Sequence, residues 1–337
     1  MIDRCGRNID YLRISVTDRC NLRCIYCMPE KGIRLTEREK ILQEPEILRV
    51  CQVMAELGIK KIKITGGEPL VRPRIPGLIG QIKAIPGIEK VTLTTNGILL
   101  KEQMQDLAAA ELDSLNISLD TLDRECFRKV TRRDLLDGTL AGIEEAMKYP
   151  KVQLKINCVP LGLEEQNLCE IAEFAHHHPV HVRFIEMMPI GYGSSFAGMS
   201  QDKIVALLEQ KFGKMRPYEG KPLGNGPCTY YTVDGFQGKL GFISAISHKF
   251  CSKCNRIRLT SQGYLKTCLQ YTAGRDLRAV MRSGGTDEEL KDMIRAALAE
   301  KPDGHHFTEK AKEDDTESLC MSQIGGYYET RSNYNSK

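Results

Sequence analysis

Three thiols stand close together in Cys20-Asn21-Leu22-Arg23-Cys24-Ile25-Tyr26-Cys27, a C-x3-C-x2-C spacing, and three more in Cys251-Ser252-Lys253-Cys254 with Cys268, a C-x2-C-x13-C spacing. Thiolates grouped in this way hold zinc or iron–sulfur clusters. A cubane cluster usually takes four thiolates. Three would leave one iron open, and an open position is how a metal site admits a substrate. Zinc asks for a fourth ligand, and no His or Cys occurs within twenty residues after Cys27. The first group is therefore expected to hold a cluster. For the second, spacing alone balances zinc against iron–sulfur evenly, since His248 lies near enough in sequence to make a Cys3His site. The other seven of the thirteen cysteines (Cys5, Cys51, Cys126, Cys158, Cys169, Cys228 and Cys320) are scattered. Most of them are expected to be small packing residues, not a disulfide framework.

Charge accompanies the thiols. The run Asn255-Arg256-Ile257-Arg258-Leu259-Thr260 alternates in strand fashion, which puts Arg256 and Arg258 on one face. Two guanidiniums beside a metal site suit a phosphate-bearing ligand; a solvated basic edge strand is the plainer reading. Arg13, Lys63 and Lys155 sit among apolar neighbours in other β-rich runs. Cations buried there without a partner are costly, which favours an anionic ligand inside the fold. Gly66-Gly67 permits close approach of backbone to a ligand, or simply a turn. His176-His177-His178 is metal-like only at first sight. Consecutive helical residues face different directions, so the run reads as the polar end of a helix.

These residues need a frame. Strands are expected at 11–16, 61–65, 91–95, 115–119, 152–159 and 181–187, with helical periodicity between them, as at 46–57, 102–110 and 138–149. Six βα units in a row imply a parallel sheet with helices outside, open or partly closed. The rhythm breaks near residue 195. A helix follows at 201–212, a Gly- and Pro-rich loop at 218–226, strands at 229–233 and 240–246, and helices at 275–282 and 287–299. The resulting division is 1–195, 196–300 and a tail from 301 to 337, whose residues 301–318 are polar and expected to be mobile.

The whole chain of 337 residues is long enough for a sizeable core, and its 41% hydrophobic and 27% charged content is ordinary. A net charge of +4 argues against nucleic-acid binding while leaving room for a local basic pocket. No apolar run reaches the roughly 18 residues that span a membrane, and the start lacks the apolar core of a signal peptide, so a cytoplasmic location is expected.

The first cysteine signature, with an aromatic residue just before its third thiol, resembles that of the radical S-adenosylmethionine superfamily. Taken with Gly66-Gly67-Glu68-Pro69, Thr94-Thr95-Asn96-Gly97, Arg183-Phe184-Ile185-Glu186-Met187-Met188 and the Cys254–Thr260 run, it resembles the GTP 3′,8-cyclase family of molybdenum-cofactor biosynthesis over about residues 6–326. The resemblance implies an α/β fold, an incomplete (β/α)6 TIM-type barrel whose open side is covered by the C-terminal segment. It implies two 4Fe–4S clusters, on Cys20, Cys24 and Cys27 and on Cys251, Cys254 and Cys268. S-adenosyl-L-methionine would lie on the first, contacted by Tyr26, Gly67, Ser118 and Met188. GTP would meet Arg13, Lys63, Thr94, Lys155, Arg256, Ile257 and Arg258, with Arg183 a further candidate, and its purine would bind the open iron of the second cluster. A 5′-deoxyadenosyl radical would take hydrogen from C3′ of GTP, and closure on C8 would give (8S)-3′,8-cyclo-7,8-dihydroguanosine 5′-triphosphate. No side chain need act as nucleophile; Gly325 and Gly326 would assist as a dipeptide reaching into the site.

Two departures from the family pattern stand out. Lys63 replaces a common arginine, keeping the charge but losing the bidentate fork, and Tyr327–Lys337 follow the Gly-Gly pair. Implied partners are an electron donor of flavodoxin or ferredoxin type and a downstream cyclic pyranopterin monophosphate synthase; a homodimer is compatible. Rival readings are a peptide-modifying maturase, which would carry more cysteines after the barrel, a two-cluster electron carrier and a zinc-stabilised scaffold.

Overall fold

The structure, a computed structural model, describes residues 1–307 together with Glu317 and Met321. Six parallel strands come first: β1 (Tyr11–Ser15), β2 (Lys61–Thr65), β3 (Lys90–Thr95), β4 (Ser114–Ser118), β5 (Gln153–Cys158) and β6 (His181–Ile185). Each lies beside the one before it in sequence, in parallel register. The intervening helices are α1 (Glu44–Glu56), α2 (Ile75–Lys83), α3 (Leu100–Ala109), the pair α4 (Arg124–Thr131) and α5 (Leu136–Met147), and α6 (Leu168–His177). All six strands begin and end within two residues of the sequence expectation.

Alternation along the strands divides the sheet into two faces. Leu12, Ile14, Ile62, Ile64, Val91, Leu93, Leu115, Ile117, Leu154, Ile156, Val182 and Phe184 all join one apolar core with Ile47, Val50, Met54, Ile79, Ile82, Met104 and Leu107 of the helices. Each residue between them in the strands points the other way. That face carries Arg13, Lys63, Thr92, Thr94, Asn116, Lys155, Asn157 and Arg183, all lining one cavity. This is the arrangement of an incomplete barrel whose interior is polar and whose outside is covered by helices.

The rest of the chain extends both edges of the six-stranded sheet. After α7 (Gln201–Phe212), β7 (Arg216–Pro217), β8 (Thr229–Thr232) and β9 (Leu240–Ile243) form an antiparallel set, and β9 lies parallel to β6. Strands β10 (Arg256–Leu259), β11 (Tyr264–Lys266) and β12 (Gly274–Asp276) make a second antiparallel set, and β10 lies parallel to β1. Helices α8 (Leu277–Arg282) and α9 (Asp287–Ala299) follow, α9 opening on a capping box between Thr286 and Glu289.

The polar composition of residues 301–318 led to an expectation of mobility, and residues 301–305 correct it. Lys301 is 2% exposed and His305 8%. Lys301 Nζ donates to the carbonyls of Arg256 and Thr267, so backbone acceptors satisfy a charge that composition assigns to solvent. Among the described residues no helix is long and apolar enough to cross a membrane.

Candidate active site

The first cysteine loop leaves the carboxyl end of β1 and is anchored on three sides. Arg23 N and Ile25 N donate to the Thr131 and Val130 carbonyls at 2.9 Å each, tying it to the end of α4. Tyr26 Oη donates to Asp120 Oδ2 at 2.7 Å, just beyond β4. Asn96 Nδ2 donates to Asn21 Oδ1 at 2.6 Å, and Asn96 N donates to the buried Glu68 at 2.7 Å. The paired glycines form the floor of the loop. A Cβ on Gly67 would lie 2.3 Å from the Arg19 carbonyl oxygen and one on Gly66 2.7 Å from that of Thr17. Gly67 N and Glu68 N donate to Thr17 and Arg19 carbonyls at 2.7 Å each. Both glycines are therefore required by the chain itself, whatever ligand they also meet. Ser118 ends β4, and Met188 lies three residues past β6; both are half-buried.

Burial pushes the Cys20 thiol up to about 11, with Glu68 adding to it, and pushes Cys24 well above its usual range, with Cys27 and Asp120 adding. A thiolate here needs a compensating positive charge, which a metal centre provides. Among the described residues no three His, Cys, Asp or Glu side chains converge closely enough to hold one metal ion. Each group offers three thiols, and in a cubane each thiolate takes a different iron, so the donor set fits such a cluster.

Facing the barrel interior, the strand register stacks cations side by side. Arg13 of β1 pairs with Lys63 of β2 on one side and Arg258 of β10 on the other, while Asn157 of β5 pairs with Arg183 of β6. Lys155 is 2% exposed, and Lys63 and Arg183 are 8%. Arg183 is held by the carboxamide oxygens of Asn157, 2.9 Å from Nε, and Asn116. Lys155 Nζ donates to Ser114 Oγ at 2.7 Å. Burial, then Arg183, Arg13 and Lys155, pushes Lys63 far below the usual lysine range. Burial and Arg183 bring Lys155 down to about 6. Arg13 Nε is buried without a hydrogen-bond partner. One carboxylate of the cavity wall, Asp113, is engaged by Lys83 Nζ at 2.6 Å and Val91 N at 2.7 Å. A wall so rich in unmatched cations is preorganised for a polyanion. Thr94 lines the same cavity, as does Arg256. Ile257 faces the other way, fully buried in the apolar core, so only its backbone is available to the interior.

The second cysteine group is assembled by a hairpin. Cys254 precedes β10 by two residues and Cys268 follows β11 by two, and the antiparallel pairing of Arg258 with Lys266 brings those ends level. This explains a spacing that looks open in sequence. Burial opposes ionisation of Cys254, yet Lys301 and Arg256 outweigh it and hold the thiol below its usual range. His248, the fourth ligand that sequence suggested, is exposed, with Nδ1 3.1 Å from Ser247 Oγ. The histidine that does enter this region is His305, which spacing could not reveal because it lies far beyond Cys268.

Strand direction then fixes where the two groups stand. The first loop leaves the carboxyl end of β1, whereas the Cys251–Cys254 turn leads into the amino end of its parallel neighbour β10, with Tyr11 opposite Arg256. The two groups therefore occupy opposite mouths of the barrel. The five residues of β1 alone separate them by roughly 16 Å at about 3.3 Å per residue, and the cations lie between. Gly325 and Gly326 are outside the described residues.

Residues 14–177 match the Radical SAM superfamily description and residues 180–307 match Molybdenum Cofactor Synthesis C. The chain is similar to the GTP 3′,8-cyclase of Clostridium perfringens (strain 13 / Type A), 45% identical over 97% of this chain and 100% of that one. It is likewise similar to the enzyme of that name from Heliobacterium modesticaldum, 44% identical over 97% of this chain and 100% of the other. Among solved structures it resembles Streptococcus suis SuiB bound to the precursor peptide SuiA, with a TM-score of 0.59 at 16% identity, covering 91% of this chain and 74% of that one. At that identity the likeness speaks to the fold.

Proposed function

The chain belongs to the GTP 3′,8-cyclase family of radical S-adenosylmethionine enzymes, and on that premise we propose that GTP lies along the barrel axis between two iron–sulfur clusters. The observation that carries this reading is the cationic interior: Arg13, Lys63, Lys155, Arg183 and Arg256 line one cavity, and Arg258 stands beside Arg13 in the register of β1 and β10. Arg13, Lys63, Lys155, Arg256 and Arg258 bind and neutralise the triphosphate, Thr94 adds a hydroxyl contact, and the backbone at Ile257 lies alongside. The guanine lies toward Cys251, Cys254 and Cys268, and the ribose toward Cys20, Cys24 and Cys27.

A 4Fe–4S cluster on the first group supplies, with S-adenosyl-L-methionine, the 5′-deoxyadenosyl radical for C3′ hydrogen abstraction and hence for ring closure on C8. Tyr26, Gly67, Ser118 and Met188 surround that cofactor. The protein's share is positioning: strand-borne cations fix the nucleotide, and the covered barrel keeps water from a reactive carbon. Lys63 contributes charge without a bidentate fork, so the grip on phosphate is weaker at that position than an arginine would give. An electron donor of flavodoxin or ferredoxin type and a downstream cyclic pyranopterin monophosphate synthase are the partners this chemistry calls for.

The test is iron and sulfide content after anaerobic reconstitution, followed by addition of S-adenosyl-L-methionine, dithionite and GTP with mass spectrometry of the products. We expect about eight irons per chain, as two cubanes require, and GTP-dependent 5′-deoxyadenosine with a cyclised nucleotide. Zinc in the second group would remove the two-cluster reading, and cofactor cleavage indifferent to GTP would remove the substrate.

A further inference from the structure

We propose that residues 224–228 form a flap across the open side of the barrel, which swings outward to admit GTP from a cationic antechamber beyond it. This rests on the reading that the cationic interior takes GTP.

Strands β9 and β10 flank the six parallel strands on opposite edges, and the flap, part of the connection from β7 to β8, crosses between them. At its β8 end the Cys228 thiol lies on the bare backbone of β9: a Cβ on Gly241 would stand 2.6 Å from its sulfur. Nearer its other end the Asn225 carbonyl accepts from Asn255 Nδ2 at 3.2 Å, just ahead of β10, and Asp10 Oδ1 holds the same amide at 2.7 Å. Among the described residues that bond from Asn255 is the one hydrogen bond made by segment 219–227. Segments so sparsely bonded open at little cost. Beneath the flap the Tyr230 hydroxyl is buried without a partner, 3.7 Å from where a Gly224 Cβ would be. The closed position therefore carries a desolvation cost that opening relieves.

Space requires this motion. The inner cavity holds about 130 Å³, below the roughly 300–1,000 Å³ of small-molecule sites. Asn225, Gly226, Pro227 and Cys228 line it and also line a second cavity of about 490 Å³, so they are the partition between the two. With the flap withdrawn, the two become one space of ordinary size for a nucleotide. Charge continues through the partition. Lys249 and Lys253, both exposed, line the outer cavity. The Phe250 ring of that cavity lies 5.0 Å from the guanidinium of Arg256, which lines the inner one. Cations at a cleft draw in an anionic ligand and raise its association rate.

The experiment follows radiolabelled GTP by rapid filtration on the full reconstituted chain, giving association and dissociation rates at several salt concentrations. Two double variants are compared with wild type. Lys249→Ala with Lys253→Ala should slow association about tenfold at low salt, the lower end of electrostatic steering, flatten its salt dependence and leave dissociation unaltered. Gly224→Ala with Gly226→Ala stiffens the flap. Both methyls fit, since the one on Gly226 meets nothing within 4 Å and the one on Gly224 meets the Tyr230 hydroxyl at 3.7 Å. We expect association and dissociation to slow by one common factor at unaltered Kd, which marks a gate and not a binding group. Association unaltered in either double variant overturns the proposal, as does a glycine variant that changes dissociation alone. Wild type that binds no GTP removes the substrate reading first, and the flap with it.

Discussion

The Tyr26 hydroxyl donates a 2.7 Å hydrogen bond to Asp120 Oδ2, so the residue between Cys24 and Cys27 is pinned to the chain just beyond β4. Asp120 Oδ1 takes the Val159 N–H at 2.8 Å, and burial holds this carboxyl up at about 6. Tyr26→Phe leaves one oxygen of a buried acid without its donor. The expected cost is about 1–3 kcal/mol, read as a lower urea midpoint of the metal-free protein and faster loss of iron from the first site.

Gly67→Ala must move the cysteine loop, since its new methyl would stand 2.3 Å from the Arg19 carbonyl. Overpacking of this kind costs about 1–3 kcal/mol. Here the atom that yields is the backbone of the residue before Cys20. We expect reconstituted iron to fall toward the content of the second site alone while the circular dichroism spectrum is retained; full iron content would count against the floor role of the glycines.

Lys155 gives a pH prediction with a definite sign. Its ordinary value of 10.5 falls to about 6 in the fold, first through burial and then through Arg183. Between these values the unfolded chain binds one proton more than the folded chain at this position, so its contribution to stability rises with pH across that window. A bound triphosphate reverses the burial penalty and restores the ammonium. Nucleotide binding at pH 8 therefore takes up protons, and affinity declines as pH climbs above about 6. Calorimetry of GTP binding in two buffers of different ionisation enthalpy measures the uptake, and Lys155→Met should reduce it.

Arg183 and Asn157 pair across neighbouring strands with a 2.9 Å bond from Nε to the carboxamide oxygen. Asn157→Ala removes one of the two carboxamides that hold the guanidinium and leaves Asn116 as the other. Loss of a hydrogen bond to a charged group is worth about 1.5–3 kcal/mol, so KM for GTP should rise roughly tenfold or more. Iron content should stay constant, and Asn157→Gln is expected to recover part of the loss.

The buried ion pair of Arg7 and Asp3, 2.6 Å apart, closes the second site from the amino-terminal side. Arg7→Met strands the Asp3 carboxylate and releases three carbonyls. Breaking a buried pair from one side costs about 3–5 kcal/mol. A melting-temperature drop with selective loss of second-site iron is the expected outcome, and an unaltered second site would show the clamp to be dispensable.

Much of this was written plainly in the chain. Six β-rich runs with polar and apolar residues in alternation announce both faces of the sheet, and Arg13, Lys63 and Lys155 stand on the inward one. The cysteine spacings name the thiols, although the second needs the β10–β11 hairpin to become compact. What stayed hidden depends on contacts between distant segments. Gly67 looks like a ligand-binding turn until the Arg19 carbonyl fills the space where its side chain would be. His248 is near Cys251 in sequence but turns to solvent, whereas His305 arrives from beyond α9. Segment 301–305 reads as a tail because charge usually means solvent, and here the Arg256 and Thr267 carbonyls stand in for water around Lys301.

The strap that joins Asp3 and Arg7 to Cys251, Pro302 and Asp303 also has a bearing on how the molecule is made. The first cysteine loop bonds to the end of α4 and to Asp120, and Ile25 and Tyr26 pack in one cluster with Val130, Leu161 and Met187, so it can take shape once the chain has passed β6. The second draws on residues near 5, 254, 268 and 305, and such long-range closures form late. Biosynthesis thus imposes an order of loading: one mouth of the barrel can be furnished with metal before the other exists.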